Sequence, residues 1–310
     1  LMLPRPAEPA PPSVLPHGHW AEVDPALDAR QTIAALAGRR CDWLIVDHYA
    51  LDGEWHRCVA GGTGARLAVI DDVADRPLDA DVLIDHNYCD DHRRKYGALL
   101  APATPILGGP RFALLGPAYA TAARYDFHPD VRSIGIFMGG ADAGGYSAVA
   151  WRACREVAGF DGPIEIVTTR ESPRWRELQH TVAADTRTML SFDLPSLHEI
   201  FARHDLQIGA GGGATWERCC IGAPAVAAVV ATNQRAVLEP LQDLGILRVC
   251  APTADAIGTQ CRSLVEQPEL RRALCSHARE LVDGRGAGRV ATFLIETCTT
   301  SASSAPTNTT

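Results

Sequence analysis

The sequence feature that most limits how this chain can fold is a glycine-rich turn between a short strand and a helix. Leu206–Ile208 predicts a buried strand, and the run GAGGG at 209–213 follows it directly. A helix is then predicted to open at Ala214–Glu217. Glycines let the backbone approach a ligand closely, and the start of a helix offers unpaired N–H groups and a partial positive charge. The stretch therefore predicts an α/β unit with a phosphate or diphosphate site at the turn.

The same run is also compatible with a tight turn that binds nothing. It lacks the spacing of the dinucleotide fingerprint, and no Gly-Lys-Ser/Thr of a Walker A loop follows it. Polar residues nearby favour a binding role. Glu217 could accept hydrogen bonds from a ribose diol, and Asn233 and Gln234 follow the next predicted strand at the same sheet edge. The alternative for Glu217 is a solvated helix position or an ion pair with Arg218.

Strand and helix patterns alternate along the chain, which predicts parallel sheets. The predicted strands are Trp43–Asp47, Leu67–Ile70, Val82–Ile84, Arg132–Met138, Ile164–Thr168, Thr188–Leu190, Leu206–Ile208 and Ala225–Val230. The predicted helices are Asp24–Gly38, Glu54–Ala60, Tyr146–Val157, Arg174–Ala183, Leu194–Arg203, Asn233–Leu244, Ala254–Val265, Glu269–Val282 and a last one through Val290–Glu296.

Acidic or polar residues follow the first three predicted strands. For Asp71, Asp72 and Asp85 we favour a structural role, because Asp is a common cap and turn residue and an acidic cluster would repel a diphosphate. Tyr49 follows the first of these strands. Its hydroxyl could bond a sugar or a leaving oxygen, and the alternative is a half-buried aromatic residue.

Composition excludes several classes of function. The net charge of −8 argues against a nucleic-acid-binding surface, and no apolar run is long enough to span a membrane. The ten cysteines contain no CxxC pair, which is typical of buried thiols in a reducing cytoplasm. The eleven histidines form no ligand cluster, so we expect neither a metal nor a cofactor.

The distribution of proline and polar residues predicts two domains between a lead-in and a tail. Residues 1–20 begin with a proline-rich stretch and are predicted to be a disordered lead-in, and the Ser/Thr-rich residues 299–310 a disordered tail. Between them we predict an N-terminal domain at 21–128 and a C-terminal domain at 130–298. The boundary is placed at His128-Pro129-Asp130, and Leu107–Pro117 is interpreted as the approach to the second domain.

Five motifs in order carry a resemblance to a known family. They are CDWLIVDHYALD (41–52), VIDDVADRPLDADVLIDHN (69–87), LGGPRFALLGPAY (107–119), GIFMGGADAGG (135–145) and GAGGGATWERCCIGAPAVAAVVATNQ (209–234). Together they resemble the UDP-sugar hydrolases of pseudaminic acid biosynthesis. Those enzymes cleave UDP-2,4-diacetamido-2,4,6-trideoxy-β-L-altropyranose into UDP and free sugar, and they share the GT-B fold with the N-acetylglucosaminyltransferase that makes lipid II.

The resemblance implies a GT-B-like α/β protein with two Rossmann-like parallel-sheet domains and a UDP-sugar as its partner. The implied diphosphate contacts are Gly139, Gly140, Gly211, Gly212, Gly213 and Thr215. Glu217 is implied to bind the ribose, Asn233 and Gln234 the nucleoside or the sugar, and Tyr49 the sugar pocket.

Two departures from the family pattern stand out. The family's N-terminal Gly-x-Gly-His segment, whose His is the proposed general base, is absent. The nearest substitute, His17-Gly18-His19, lacks the flanking strand and the Arg-Cys that follows in the family. We therefore expect an incomplete N-terminal domain and slow or absent catalysis, since a general base contributes about 10²–10⁴-fold. Gly213 also replaces the family's Ser or Thr, which removes one phosphate contact.

Three functions follow as hypotheses. The first is hydrolysis of a UDP-linked diacetamido-trideoxy sugar. The second is a GT-B glycosyltransferase that uses the same donor but releases UDP only to an acceptor. The third is a non-catalytic UDP-sugar-binding protein, which would bind UDP without releasing sugar.

Overall fold

The computed structural model describes residue 3 and residues 14–302, with side chains as far as residue 298. The described residues form two compact units. One comprises those up to Phe112 and those from Gly288 onward, and the other is Ala113–Ala287. Each unit contains one sheet whose neighbouring strands are all parallel. The predicted α/β class with two parallel sheets is confirmed.

The first unit is built on a four-stranded sheet in the order β1-β2-β3-β4. The strands are Trp43–Val46 (β1), Arg66–Ile70 (β2), Val82–Asp85 (β3) and Ile106–Gly108 (β4). The helices before Phe112 are Pro25–Leu36 (α1), Gly53–Thr63 (α2) and His92–Tyr96 (α3).

Local sequence explains where the first two helices begin and end. The Asp24 carboxylate accepts a backbone N–H at the start of α1, and Pro25 occupies the first helical position, where no N–H is needed. Asp52 caps α2 in the same way. Gly64 ends α2 in the left-handed conformation, with φ of 71°.

A buried ion pair lies at the carboxyl end of this sheet. The Arg76 guanidinium donates to the Asp71 carboxylate at 2.6 Å, and both side chains are almost fully buried. Next to them, Lys95 donates to the buried Asp85 carboxylate at 2.7 Å, and the Tyr96 hydroxyl bridges the two acids. Asp71, which follows β2, and Asp85, which ends β3, are thus paired with cations within the unit.

The second unit is built on a six-stranded sheet in the order β10-β9-β8-β5-β6-β7. The strands are Ile134–Phe137 (β5), Ile164–Thr168 (β6), Thr188–Phe192 (β7), Leu206–Ala210 (β8), Ala225–Ala228 (β9) and Arg248–Cys250 (β10). The helices are Tyr146–Arg152 (α4), which continues as a π-helical turn at Ala153–Val157, then Trp175–Val182 (α5), His198–Arg203 (α6), Ala214–Ile221 (α7), Arg235–Asp243 (α8), Ala254–Glu266 (α9) and Pro268–Leu281 (α10). The last helix, Gly286–Ala302 (α11), belongs to the first unit from Gly288 onward.

The strand order creates a topological switch point between β5 and β8. From β5 the chain moves outward through β6 and β7, and then returns to β8 and moves the other way through β9 and β10. Ile136 lies opposite Ile208 in the register of the two central strands. Their loops therefore separate at the carboxyl edge and leave a crevice, which is where open α/β sheets bind ligands.

The core explains why these strands are parallel and central. Every residue of β6 and β9 is buried, and so are the first four of β8. Strands that are covered by helices on both faces have this nearly continuous apolar pattern. None of the helices within residues 14–302 combines the length and the apolar composition that a membrane span requires.

Three short elements were not predicted from the sequence. The strands β4 and β10 contain three residues each, and α3 contains five. Such segments are too short to show a period of their own, and tertiary pairing with β3 and β9 defines the two strands. Leu107, interpreted as part of an inter-domain approach, lies within β4.

The division into units also differs from the predicted boundary at 128–130. The Tyr125 hydroxyl and the His128 ring both contact the Asp205 carboxylate, so the chain before Pro129 packs within the second unit. In turn, the Trp43 indole donates to the Leu294 carbonyl at 2.9 Å, which ties α11 to the first unit. Both contacts join residues that are distant in sequence.

The predicted disorder at the two ends lies partly outside the described residues, which leave out 1–2, 4–13 and 303–310. Where residues are described, the structure differs from that prediction. Gly18–Trp20 form a 3₁₀ turn within the predicted lead-in, and α11 extends to Ala302.

Replacing Asp71 by Asn should lower the free energy of unfolding by about 3 kcal/mol, because Arg76 would lose its closer and fully buried counter-charge and keep only the more exposed Asp75 at 3.1 Å. Urea unfolding followed by circular dichroism measures the change. The matched control is Asp79→Asn, which breaks the exposed Arg57–Asp79 pair and should cost about 0–1 kcal/mol. Equal effects of the two substitutions would contradict the role given to the buried pair.

Candidate functional site

The structure brings the two predicted glycine turns together at the switch point. Gly139 and Gly140 follow β5, and the run 211–213 follows β8. The two strands are neighbours, with Phe137 opposite Gly209 in the register. Both turns therefore lie at the carboxyl ends of adjacent central strands, where a ligand is expected.

The turn after β8 leads into a helix whose first N–H groups are not capped. α7 begins at Ala214 without a side-chain hydrogen bond to its first turn. The exposed Gly212 and Gly213 precede it, and their carbonyls accept the N–H groups of Thr215 and Trp216. An uncapped helix start with exposed glycines is suited to an anion such as a phosphate.

The turn after β5 differs because the helix that follows it is capped by a side chain. The Asp142 carboxylate accepts the N–H groups of Tyr146 and Ser147 at 2.8 and 2.9 Å, so α4 is capped by an anionic side chain of its own. Gly139 has φ of 98°, and the Gly140 carbonyl accepts the Thr169 hydroxyl. Because a carboxylate already occupies this helix start, the turn after β8 is the better anion site of the two.

A buried arginine lies beneath the turn after β8. The Arg218 side chain donates to the Ala210 carbonyl at 2.6 Å and to the Thr215 hydroxyl at 3.2 Å. Thr215, predicted to contact phosphate, is itself buried and its oxygen accepts this bond. Among the described residues, Nε and one terminal nitrogen of Arg218 have no hydrogen-bond partner.

The charge of Arg218 favours an anion at the turn. Burial lowers the pKa of its guanidinium to about 10, so the group remains a cation at neutral pH. No carboxylate within ion-pair distance of it is recorded in the described part of the second unit. A cation held in a low-dielectric interior attracts a nearby anion strongly.

Arg218 also explains the first glycine of the run. A Cβ at Gly209 would collide with the Arg218 guanidinium and would lie 2.7 Å from the Phe137 carbonyl oxygen. Similarly, a Cβ at Gly211 would collide with Leu238. Here glycine is required by close packing, and the exposed Gly212 and Gly213 are the glycines available to a ligand.

Glu217 and Tyr119 form an unsatisfied pair beside the same helix. The Glu217 Oε2 atom and the Tyr119 hydroxyl are both buried, and neither has a hydrogen-bond partner of normal geometry among the described residues. Burial raises the pKa of the Glu217 carboxyl. Burial, and then the charge of Glu217, raise the pKa of the Tyr119 hydroxyl as well. Buried polar atoms without partners are rare, and an external hydroxyl donor could satisfy this carboxylate.

Gln234 lies close to the glycine turn, in the loop that follows the neighbouring strand β9. The Gln234 Oε1 atom accepts the Val230 N–H at 3.0 Å, so its carbonyl shapes the loop after β9. Its Nε2 atom lies 4.0 Å from the position of a Cβ on Gly212. Asn233 is exposed beside it.

In the first unit, Tyr49 lies at the carboxyl edge of the sheet and donates its hydroxyl to Asp72 at 2.5 Å. The amide of Asn87 holds the other oxygen of Asp72 at 2.6 Å. Burial, then the hydrogen bond to Asp72, raise the pKa of Tyr49 well above its usual value. Tyr49 therefore remains protonated at neutral pH and cannot act as a base, and its one proton is donated to Asp72.

The structure shows a contact of His17 that the sequence pattern does not indicate. His17 Nδ1 lies 2.6 Å from the Asp75 carboxylate, and its ring centroid lies 5.5 Å from that of Tyr49. The sequence pattern places His17 in a disordered lead-in and gives Asp75 no role. The sequence feature that indicates packing here is Trp20, an aromatic residue three positions after His17. In the structure the two rings lie 5.0 Å apart. Among the described side chains, no cluster of three or more His, Cys, Asp or Glu could hold a metal ion.

Comparison with known proteins agrees with this architecture. No protein-family model matches the chain. The spore coat polysaccharide biosynthesis protein SpsG of Bacillus subtilis (strain 168) is 24% identical over 286 residues, which cover 89% of this chain and 83% of that protein.

Two solved structures are also similar. MurG of Acinetobacter baumannii matches with a TM-score of 0.58 at 13% identity, over 86% of this chain and 77% of its own. UDP-GlcNAc 2-epimerase from Neisseria meningitidis, solved with UDP-GlcNAc bound, matches with a TM-score of 0.62 at 10% identity, over 88% and 82%. The predicted GT-B-like fold is therefore confirmed, and the chain is similar to SpsG. The more specific resemblance to the pseudaminic acid hydrolases stays a prediction.

Replacing Gly209 by Ala should lower the free energy of unfolding by about 1–3 kcal/mol, because the new Cβ would collide with Arg218 and the Phe137 carbonyl. Urea unfolding followed by tryptophan fluorescence measures this. Gly213→Ala in the same run is the control. Its Cβ would meet no atom within 4 Å and its φ of −53° suits alanine, so the change should be within about 0.5 kcal/mol. An equally stable Gly209→Ala variant would contradict the packing argument.

Proposed function

We propose that the chain binds a UDP-linked sugar at the turn after β8 and hydrolyses it to UDP and free sugar. The observation that carries this proposal is the combination at one turn of an uncapped helix start, a buried cation and a buried carboxylate oxygen that lacks a partner. These three groups match the diphosphate and the hydroxyls of a nucleotide sugar.

The diphosphate would be bound without a metal. The N–H groups around Gly212 and Gly213 would donate to its oxygens, and Arg218 beneath the turn would stabilise its charge. When the bond between the sugar and the diphosphate breaks, negative charge grows on the departing oxygen. The same groups are fixed in place beforehand, so they would stabilise the transition state at little cost in reorganisation.

The nucleoside would be recognised by side chains on the neighbouring elements. Glu217 Oε2 would accept a ribose hydroxyl, which would supply the hydrogen bond that the carboxylate lacks. Asn233 and the Nε2 atom of Gln234 would donate to the nucleoside or to the sugar. Tyr49, in the first unit, would contact the sugar, with its hydroxyl oxygen accepting a hydrogen bond from a sugar hydroxyl while its own proton is donated to Asp72.

The identity of the sugar is the most specific part of the proposal. We infer a 2,4-diacetamido-2,4,6-trideoxy sugar, as used in pseudaminic acid biosynthesis, because the five ordered motifs resemble the hydrolases of that pathway. The similarity to a polysaccharide biosynthesis protein supports a role in surface-sugar metabolism. None of the described cysteines forms a disulfide, which supports the cytoplasm as the compartment.

A glycosyltransferase is the second candidate, because the fold is also that of MurG. Such an enzyme would use the same donor site but would transfer the sugar to an acceptor. A protein that binds UDP-sugars without catalysis is the third. Release of UDP that requires an added acceptor indicates the second, and binding without release indicates the third.

The test is a proton NMR time course of the full chain with UDP-2,4-diacetamido-2,4,6-trideoxy-β-L-altropyranose. We expect free sugar and UDP to appear in equal amounts without any acceptor. Titration calorimetry with UDP alone measures the binding half of the proposal separately. Failure to bind UDP would refute the whole proposal, whereas UDP binding without release of sugar would refute the hydrolysis.

Glu217→Gln should weaken UDP binding about 10–100-fold, since a hydrogen bond to a charged group is worth about 1.5–3 kcal/mol. Titration calorimetry measures this. The loss should be smaller for 2′-deoxyuridine diphosphate, which lacks one hydroxyl. Glu177→Gln, at the exposed Arg174–Glu177 pair, is the control and should leave UDP affinity unchanged.

The same variant should be more stable than the parent at neutral pH. Burial raises the pKa of Glu217, so the folded state binds its proton more tightly than the unfolded state. Stability from this group is present at low pH and is lost as the pH rises through the folded-state pKa. Gln cannot ionise, so the gain in stability should vanish below about pH 4, near the pKa of an unfolded Glu. For the affinity prediction above, a Glu217→Gln variant that binds UDP as tightly as the parent would contradict the ribose role of Glu217.

A further inference from the structure

We propose that the open cavity between the starts of α1 and α2 binds a small molecule that has an apolar body and one ammonium group. The cavity has a volume of about 390 Å³, and its described lining belongs entirely to the first unit. This size lies in the range of about 300–1,000 Å³ that is typical of small-molecule sites. The inference goes beyond the proposed function and is independent of it, since no contact with a UDP-sugar is placed in this cavity.

The floor of the cavity is apolar and continuous with the core. Ala29 and Trp55 line the cavity and also belong to the hydrophobic core of the first unit, and the lining residue Ala50 is 1% exposed. The Trp55 indole N–H donates to Asp28 Oδ1 at 2.8 Å. The polar group of the ring is therefore already satisfied, and the rest of the ring is suited to an apolar ligand.

Small side chains leave the space open. Pro25, Ala26 and Ala29 line it from α1, and Ala50 lines it from the segment just before α2. Both helices begin at a capping aspartate, so the two helix starts that enclose the cavity are fixed by local hydrogen bonds. The cavity is therefore a built feature of the first unit.

Three carboxylates line the same cavity and give it a negative charge. Asp24 and Asp52 accept helix N–H groups through their Oδ1 atoms. No partner of their Oδ2 atoms, or of the Glu54 carboxylate, is recorded among the described residues. None of the described residues that line the cavity is Lys, Arg or His. The acids are thus without a local counter-charge.

Charge complementarity selects one chemistry for the ligand. An apolar body would cover the alanines and the indole, and a positive end would be attracted by the carboxylates. An ammonium group carries three N–H donors, so it can engage more than one of the unoccupied oxygens. A carboxylate on the same apolar body would be repelled, and an uncharged group would gain no ionic attraction.

The experiment is NMR of the full chain labelled with ¹³C in its alanine methyl groups, titrated with heptylamine, heptanol and heptanoate. We expect heptylamine to shift the methyl signals of Ala29 and Ala50 in a saturable way and to bind about tenfold more tightly than heptanol. Heptanoate should give no saturable shift up to about 10 mM. Added salt should weaken the binding of heptylamine and leave that of heptanol unchanged.

The role of charge is tested with the helix caps kept. Asn caps a helix start about as well as Asp, so the double variant Asp24→Asn/Asp52→Asn removes two charges while both caps remain. It should weaken the binding of heptylamine about 3–10-fold and leave that of heptanol unchanged. Asp91→Asn changes the cap of α3, which does not line the cavity, and is the matched control. It should keep the affinity within about twofold.

The role of the space is tested with two exposed alanines of α1. Ala26→Phe places a ring in the cavity and should weaken the binding of heptylamine at least about tenfold. Ala34→Phe, at a position that does not line the cavity, should leave the affinity unchanged. Circular dichroism and the urea midpoint show that each variant is folded.

Several results would overturn the inference. They include the absence of a saturable shift with heptylamine, equal binding of heptanoate, and full affinity in the double Asn variant or in Ala26→Phe. Without ligand, shifts of the Ala29 and Ala50 signals on removal of residues 1–13 would assign the cavity to the chain's own N-terminal residues. Shifts that grow with protein concentration would assign it to a second copy. UDP binding and turnover bear only on the proposed function, so the two proposals fail separately.

Discussion

The hydrogen bond from Arg218 to the Ala210 carbonyl is the interaction on which the candidate site depends. Burying a guanidinium costs several kcal/mol, and here no ion pair of the second unit offsets that cost. The side chain instead supports the end of β8 from below, and its size requires glycine at position 209. The result is a turn whose outer glycines are exposed above a fixed positive charge. The charge of Glu217 acts on Arg218 without an ion pair, and an anion bound at the turn would add a second counter-charge.

The charged groups at the carboxyl edges of the two sheets are arranged differently. In the second unit a buried cation lies beneath an open turn. In the first unit several acids lie at the carboxyl edge, and two of them are paired with cations: Asp71 with Arg76, and Asp85 with Lys95. That pairing lets the remaining acids orient functional groups, since Asp72 holds the Tyr49 hydroxyl and Asp75 holds the His17 ring.

Much of the fold can be predicted from the sequence, because it follows from local patterns. The strand at Ile164–Thr168 was predicted with its observed bounds, and the helices α9 and α10 within one residue at each end. Strands of three residues such as β4 are too short to show a period, and they exist through pairing with a neighbour. The observed boundary between the units, after Phe112, differs from the predicted one at 128–130. Proline marks a turn in the chain, whereas the units are defined by contacts between distant residues.

The alternation of strands and helices, the two parallel sheets and the glycine turn that leads into α7 follow from local sequence, since each depends on residues adjacent along the chain. Which polar groups meet depends on the tertiary fold. The fold paired His17 with Asp75 across 58 positions, left the Glu217 Oε2 atom without a hydrogen-bond partner of normal geometry among the described residues, and placed Thr215 beneath the turn instead of on it. The physical reason is the order of the strands. Side chains at a sheet edge become neighbours through crossover connections, and no local pattern specifies the pairs.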